Sequence, residues 1–287
     1  MNTLKIDQLT YVYQKNTAPA VNNLSVQFED GIIGLVGQNG AGKTTFERIL
    51  STLLTPSHGN VLWNGANIAT NLQATRSQLG YLPQSFGIYP QLSGYEFLHY
   101  IGSLKGLKGG ALCSAIEKAL ASVNLTEYAK WSMRRYSGGM ARRIGIAQAI
   151  LTEPKLLILD EPTVGLDPTE KIRFYETINL LKQDRIIIVS THIISDIEAI
   201  ADRIALFRQG SLVWYGTLSD LPAAAQNKVW KVTLPVKEYE LNKGKWRISG
   251  MFREQDQMVI KIISQIQPHP NAQIVTPTVE DAYFVLC

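Results

Sequence analysis

Three stretches of the chain are apolar without interruption: Gly31-Ile32-Ile33-Gly34-Leu35-Val36, Leu156-Leu157-Ile158-Leu159 and Ile186-Ile187-Ile188-Val189. Runs of this kind, with no polar face, suit strands buried on both sides of a parallel sheet. Between them apolar residues recur at helical spacing: Phe46, Ile49, Leu50, Leu53 and Leu54; Tyr95, Leu98 and Ile101; Ala115, Ile116, Ala119, Leu120 and Val123. Another helix shows Met140, Ile144, Ala147 and Leu151 on one face, with Arg142 and Arg143 off it. Residues 92–152 lack β-branched runs and read as mostly helical, and a further helix is expected over residues 169–182. Strands alternating with helices predict an α/β fold.

A different pattern precedes the first apolar run. Residues 4–12 hold Leu4, Ile6, Leu9, Tyr11 and Val12, and residues 21–28 alternate through Leu24, Val26 and Phe28. These predict a β layer with a turn around residues 14–19. Residues 56–60 read as a turn before short β segments at 61–65 and 67–68, and residues 79–84 as a strand running into a loop. Residues 203–207 and 212–216 suggest a hairpin around Gln209-Gly210. The composition shifts near residues 221–225. Beyond it, strands or short helices over 228–234, 246–249 and 257–263 and a last helix over 279–286 predict a small α+β appendage without a chemical motif. The boundaries expected are 1–220 for the main domain and 221–287 for the accessory one.

With 287 residues, 45% hydrophobic and 18% charged, the chain has the composition of a soluble globular protein with a real core. The net charge of +4 is spread out, so solvated lysines and arginines explain it and no nucleic-acid partner is expected. Cys113 and Cys287 lack metal-ligand spacing and read as free thiols in a reducing compartment. The N-terminal residues hold no signal core, and no apolar run approaches the roughly 18 residues that span a bilayer. A membrane role therefore requires a partner.

The candidate chemistry begins directly after the first apolar run. Gly37, Gln38, Asn39, Gly40, Ala41, Gly42, Lys43, Thr44 and Thr45 read G-x-x-x-x-G-K-T and are followed by a helical pattern, which is the strand–turn–helix setting of a phosphate-binding P-loop. Glycines let the backbone wrap so that successive N–H groups point at phosphate oxygens, and the helix N-terminus adds unpaired donors. Lys43 is expected to reach the β- and γ-phosphates, and the Thr44 hydroxyl to sit on Mg²⁺. The second run ends in Asp160-Glu161, which places two acids at the ligand-binding edge of an open sheet. Asp160 would hold Mg²⁺ and Glu161 would polarise a water. Ser137-Gly138-Gly139 forms a helix N-terminus, a second anion site. His192 follows the third run at the same sheet edge. Tyr13 ends the first strand, where its ring could stack on a base.

This ordered set resembles the ATP-binding subunit of an ABC (ATP-binding cassette) transporter, over residues 4–220, roughly three quarters of the chain. The matching features are the P-loop, Gln84 at the Q-loop position, Ser137-Gly138-Gly139 as the signature, residues 156–161 as the acidic strand, Asp167 in the D-loop and His192 as the switch histidine. The resemblance implies a P-loop NTPase: a RecA-like core with an antiparallel β layer and a helical subdomain at about residues 88–152. It also implies a head-to-tail dimer, with each ATP between the P-loop of one subunit and the signature of the other. On that pattern Tyr13 stacks on adenine and Gln84 touches Mg²⁺ or the water while signalling to a membrane partner. Glu161 is the general base, His192 contacts the γ-phosphate and Asp167 couples the two sites. The usual signature is Leu-Ser-Gly-Gly-Gln; here Tyr136 and Met140 stand at its outer positions, while Ser137 and the glycine amides are intact.

The variant signature and the tail at residues 277–282 look similar to ATPase subunits of bacterial exporters for peptides, drugs or lipids. The expectation is an energy-coupling ATPase, peripheral on the cytoplasmic face of the cell membrane. It would pair with a second copy of itself in preference to a related ATPase, and would drive separate multi-span permease subunits. A soluble ABC-type ATPase acting on ribosomes or nucleic acid is the alternative, but such proteins generally carry two cassettes or a long insertion. A non-hydrolytic regulator would have lost Glu161 or His192, and both are present.

Overall fold

Along the chain the first elements are β1 (Thr3–Tyr11), β2 (Val21–Glu29), β3 (Gly31–Val36), α1 (Lys43–Leu50), β4 (His58–Trp63), β5 (Ala66–Asn67), α2 (Leu72–Ser77) and β6 (Leu79–Leu82). Helices α3 (Gly94–Leu104), α4 (Gly109–Ser122) and α5 (Gly138–Ile150) come next. They lead into β7 (Leu156–Asp160), α6 (Pro168–Leu181), β8 (Ile186–Thr191), α7 (Ile194–Ile200), β9 (Arg203–Arg208) and β10 (Ser211–Thr217). The structure is a computed structural model that describes residues 1–14 and 18–287. Part of the turn expected around residues 14–19, at Lys15, Asn16 and Thr17, lies outside the described residues. The chain divides into two units, Met1–Leu212 and Val213–Cys287.

The first unit holds two sheets. One has the order β2-β1-β4-β5 and is antiparallel, as the alternation in β1 and β2 implied. The other has the order β9-β3-β8-β7-β6 within this unit, and these strands run parallel. The three uninterrupted apolar runs are its central strands, β3, β8 and β7. Their aliphatic residues Ile32, Ile33, Leu35, Val36, 156–159 and 186–189 are at most 2% exposed. The register brings Leu82 beside Leu159, Asp160 beside Ser190 and Val36 beside Thr191. The C-terminal ends of β3, β6, β7 and β8 therefore finish level, and the residues that follow them emerge along one edge.

Some boundaries differ from the sequence pattern. Helix α1 stops at Leu50: Thr52 takes a left-handed φ of 60° and the Leu53 amide folds back onto the Arg48 carbonyl. Leu53 is thus 59% exposed and not on the helix face that its spacing suggested. The turn expected at residues 56–60 is already strand from His58, because His58 and Asn60 pair with Thr10 and Asp7 of β1. Helix α2 has no buried residue, so no apolar period announced it; Asn71 caps it by accepting from the Ala74 amide at 3.0 Å.

The second unit contains β11 (Val229–Pro235), α8 (Val236–Asn242), β12 (Ile248–Glu254), β13 (Gln257–Ile263), β14 (Gln273–Ile274) and α9 (Val279–Leu286). Its sheet has the order β12-β13-β11-β14, with every pairing antiparallel. Val232, Leu234, Ile260, Ile262 and Ala272 form a small core against which Trp230, Tyr239, Trp246 and Met258 pack. Thr278 and Asp281 cap α9 reciprocally, and Asp281 also accepts from Ser249 at 2.7 Å and Lys261 at 2.9 Å. Among the described residues no helix is long and apolar enough to cross a membrane.

Candidate active site

The turn between β3 and α1 opens onto a cavity of about 440 Å³ lined by Tyr13, Ala20, residues 39–45, Gln84 and Glu161. Gly42 sits at the helix N-cap with φ 101°, and a Cβ there would collide with the Ala20 carbonyl, so only glycine fits. Lys43 is buried and donates to the carbonyls of Gly37 at 2.6 Å and Gln38 at 3.2 Å, lying back across its own loop. Burial lowers its pKa, and the negative charges of Glu161, Glu47 and Asp160 counter that shift. Tyr13 stands at the mouth, its hydroxyl 3.1 Å from Thr45 Oγ1 and its ring edge-on to Tyr11.

Glu161 is the first residue past β7 and has a left-handed φ of 46°, uncommon for a side-chain-bearing residue. Its amide donates to the Ser190 carbonyl at 3.1 Å, so the neighbouring strand end supports that conformation. Both carboxylate oxygens are engaged. Gln84 Nε2 donates to Oε2 at 3.0 Å, and His192 Nδ1 lies 3.2 Å from Oε1. Sequence separations of 77 and 31 residues are closed because β6, β7 and β8 are adjacent and level. Asp160, the last residue of β7, accepts from Ser190 Oγ at 2.9 Å through Oδ1, while its buried Oδ2 has no donor.

Phosphate donors, a buried acid and a second carboxylate held by an amide and an imidazole form a nucleotide-hydrolysing arrangement. The ABC transporter family matches residues 21–164, half of the chain. The chain belongs to the ABC transporter family. It is an ATP-binding subunit of that family, an ATPase with the P-loop NTPase fold. It is 37% identical, over 82% of its own length and 77% of the relative's, to the uncharacterized ABC transporter ATP-binding protein YxlF of Bacillus subtilis. It is also 35% identical to the linearmycin resistance ATP-binding protein LnrL of the same organism, covering 76% of this chain and 70% of that one. A solved structure of an ATP-binding subunit of an ABC transporter superposes with a TM-score of 0.69 at 27% identity, over 77% of this chain and 92% of that chain. Of ABC transporter A family members, which it also matches, the chain spans about a quarter of the length.

Gly37, Gln38, Asp160 and His192 adjoin the cavity of this ABC ATPase without lining it, whereas Ser137 and Asp167 serve as helix caps elsewhere. Ser137 caps α5 by accepting from the Met140 amide at 3.1 Å, and Ser137 and Gly138 are exposed. Asp167 caps α6 by accepting from the Glu170 amide at 2.9 Å and is exposed as well. Neither lines the space around the P-loop of its own chain.

Arg142 corrects the sequence reading. The sequence pattern put it off the apolar face of α5, yet it is only 9% exposed. Its guanidinium donates to four backbone carbonyls: Pro83 at 3.1 Å, Gln84 at 3.2 Å, Asp160 at 2.6 Å and Pro162 at 3.0 Å. Burial pulls its pKa down to about 10, so it stays charged at neutral pH. One side chain thereby ties the helix behind Ser137 to the loop of Gln84 and to the end of β7. Nothing in the local pattern distinguishes Arg142 from the neighbouring Arg143.

Glu47 was missed altogether. It lies one turn below Lys43 on α1, fully buried, with neither carboxylate oxygen meeting a donor. Burial first, and then the negative charge of Asp160, raise its pKa well above the usual carboxylate range. The available signal was a carboxylate four residues after the P-loop lysine, a spacing that shares its face.

Proposed function

We propose that this ABC ATPase drives a separate membrane permease, at the cytoplasmic face of the membrane, to export a peptide, drug-like or lipid compound. It would act as one of two subunits that close on ATP. The observation that carries the two-subunit reading is the placement of Ser137 and Asp167. Each caps its own helix and is exposed, but outside the cavity of its own chain. A second subunit laid head to tail would set its helix N-terminus against the γ-phosphate bound here. Two helix N-termini would then grip one triphosphate, and losing the γ-phosphate would release the second grip. The relative named for linearmycin resistance supports a drug-like or lipid-like compound, as do the variant signature and the tail at residues 277–282. The ATP-binding part is taken as residues 1–220, and residues 221–287 as an accessory domain.

Within one site, the amides of residues 39–45 would receive the phosphates. Lys43 would exchange the Gly37 and Gln38 carbonyls for phosphate oxygens, and Tyr13 would stack on the base. Thr44, Asp160 and Gln84 would hold Mg²⁺. The donor-free, buried Oδ2 of Asp160 fits that duty. When bound, the ion supplies charge neutralisation to the β- and γ-phosphates. Glu161 would take the proton of a water whose oxygen attacks the γ-phosphorus. The bond to the β-phosphate oxygen breaks, leaving ADP and inorganic phosphate. Gln84 and His192 hold Glu161 in place for that transfer.

Tagged Glu161→Gln protein, purified with ATP from detergent-solubilised membranes of its host, tests the reading. It should bring down a multi-span protein with two copies of this chain. A second ATPase in the complex would replace the homodimer by a heterodimer, while ribosomes or DNA without a membrane protein would overturn the transporter role.

A further inference from the structure

Asp196 is 3% exposed on α7, four residues after His192, and three side chains from other segments converge on its carboxylate. Thr163, two residues after Glu161 and itself 2% exposed, donates from Oγ1 to Oδ2 at 2.5 Å. Lys171 Nζ donates to Oδ1 at 3.0 Å, and the Tyr175 hydroxyl to the same oxygen at 2.7 Å. Lys171 and Tyr175 are successive turns on one face of α6, the helix whose N-cap is Asp167. One buried carboxylate therefore joins the segment after Glu161, the helix headed by Asp167 and the helix that follows His192. A buried charge with three donors holds its partners more stiffly than apolar contact does, because moving any one of them strands it.

We propose that Asp196 is a positioning residue that makes the Asp167 loop and the His192 loop move as one body, so that capture of Asp167 by a second subunit sets the His192–Glu161 contact. The inference rests on the two-subunit reading above. In an isolated subunit Asp167 is exposed and the clamp holds only its own helices. Once a partner seats on Asp167, the α6 N-terminus is located, and through Lys171, Tyr175 and Thr163 so are Asp196, His192 and the backbone beyond Glu161. Asp196 touches no part of the cavity and acts on hydrolysis only through these neighbours.

The test is steady-state ATPase activity against ATP concentration. The variants are the double Lys171→Met/Tyr175→Phe, whose side chains are only half-buried, and Thr163→Val with Thr163→Ser. Loosening the clamp should lower kcat about ten- to a hundredfold, the range expected when a reacting group is misplaced by about 1 Å, and leave KM for ATP unchanged. Thr163→Ser, which keeps the hydroxyl, should restore turnover. Wild-type kcat in the double variant would overturn the proposal. So would a parallel loss of kcat and ATP binding, or failure of Thr163→Ser to rescue. Each change is repeated on Glu161→Gln, with ATP-dependent dimerisation read by gel filtration. Dimers with wild-type turnover in the clamp variants sink only the role of Asp196, whereas a Glu161→Gln protein that stays monomeric sinks the two-subunit reading itself.

Discussion

Arg142→Met removes the guanidinium and keeps most of the side-chain volume. Four buried or half-buried carbonyls, on Pro83, Gln84, Asp160 and Pro162, lose their charged donor. Charge-assisted bonds contribute about 1.5–3 kcal/mol each, but the cost of burying the guanidinium offsets part of the sum. A net loss of about 3 kcal/mol is expected, within the range for breaking a buried charged network. With a urea dependence of about 2 kcal/mol per molar, the midpoint should fall by about 1.5 M. Arg142→Lys should lie about halfway, because one ammonium cannot span carbonyls that a planar fork reaches from three nitrogens. Urea unfolding followed by circular dichroism gives the stability. ATP turnover gives the second readout, because the Gln84 carbonyl is one of the anchors and Gln84 holds Glu161. A midpoint within about 0.3 M of wild type for Arg142→Met, about a fifth of the expected shift, would refute the reasoning. So would equal stability of Arg142→Lys and wild type.

Other substitutions probe separate parts of the site. Glu47 has its folded pKa raised by burial and Asp160, so the native state keeps a proton that the unfolded chain gives up as pH climbs through the ordinary carboxylate range. Native stability therefore falls as pH rises above that range toward the folded pKa, and Glu47→Gln should abolish that slope. Unfolding at pH 5 and pH 8 checks this: the gap favouring the variant should widen at the higher pH. Gly42→Ala imposes a side chain on a φ of 101° against the Ala20 carbonyl and should cost about 2 kcal/mol or more and distort the P-loop, seen in thermal melting and nucleotide binding. Lys43→Ala should abolish tight ATP binding, and titration with a fluorescent ATP analogue would contradict the P-loop role if affinity stayed normal.

What the chain announced locally it also built locally. The apolar runs became central strands because a stretch without a polar residue has no stable place except between two covered faces. The P-loop needed only its own glycines and the helix behind it, and Ser137 needed only the α5 amides. Even the alignment of Gln84, Glu161 and His192 followed from runs that end beside polar residues, since parallel strands in register deliver their C-terminal ends to one edge.

The charged residues inside were settled otherwise. Arg142 and Arg143 are neighbours with the same side chain, and periodicity could not say which would be buried, because that depends on carbonyls 18 to 59 residues away. Glu47 and Asp160 become neighbours only when α1 packs behind β7, and Asp196 gains its donors only when α6 lies beside α7. A sequence pattern records which face of an element shuns water. Which distant group will meet a buried charge is fixed by the packing of whole elements, and so it belongs to the tertiary structure alone.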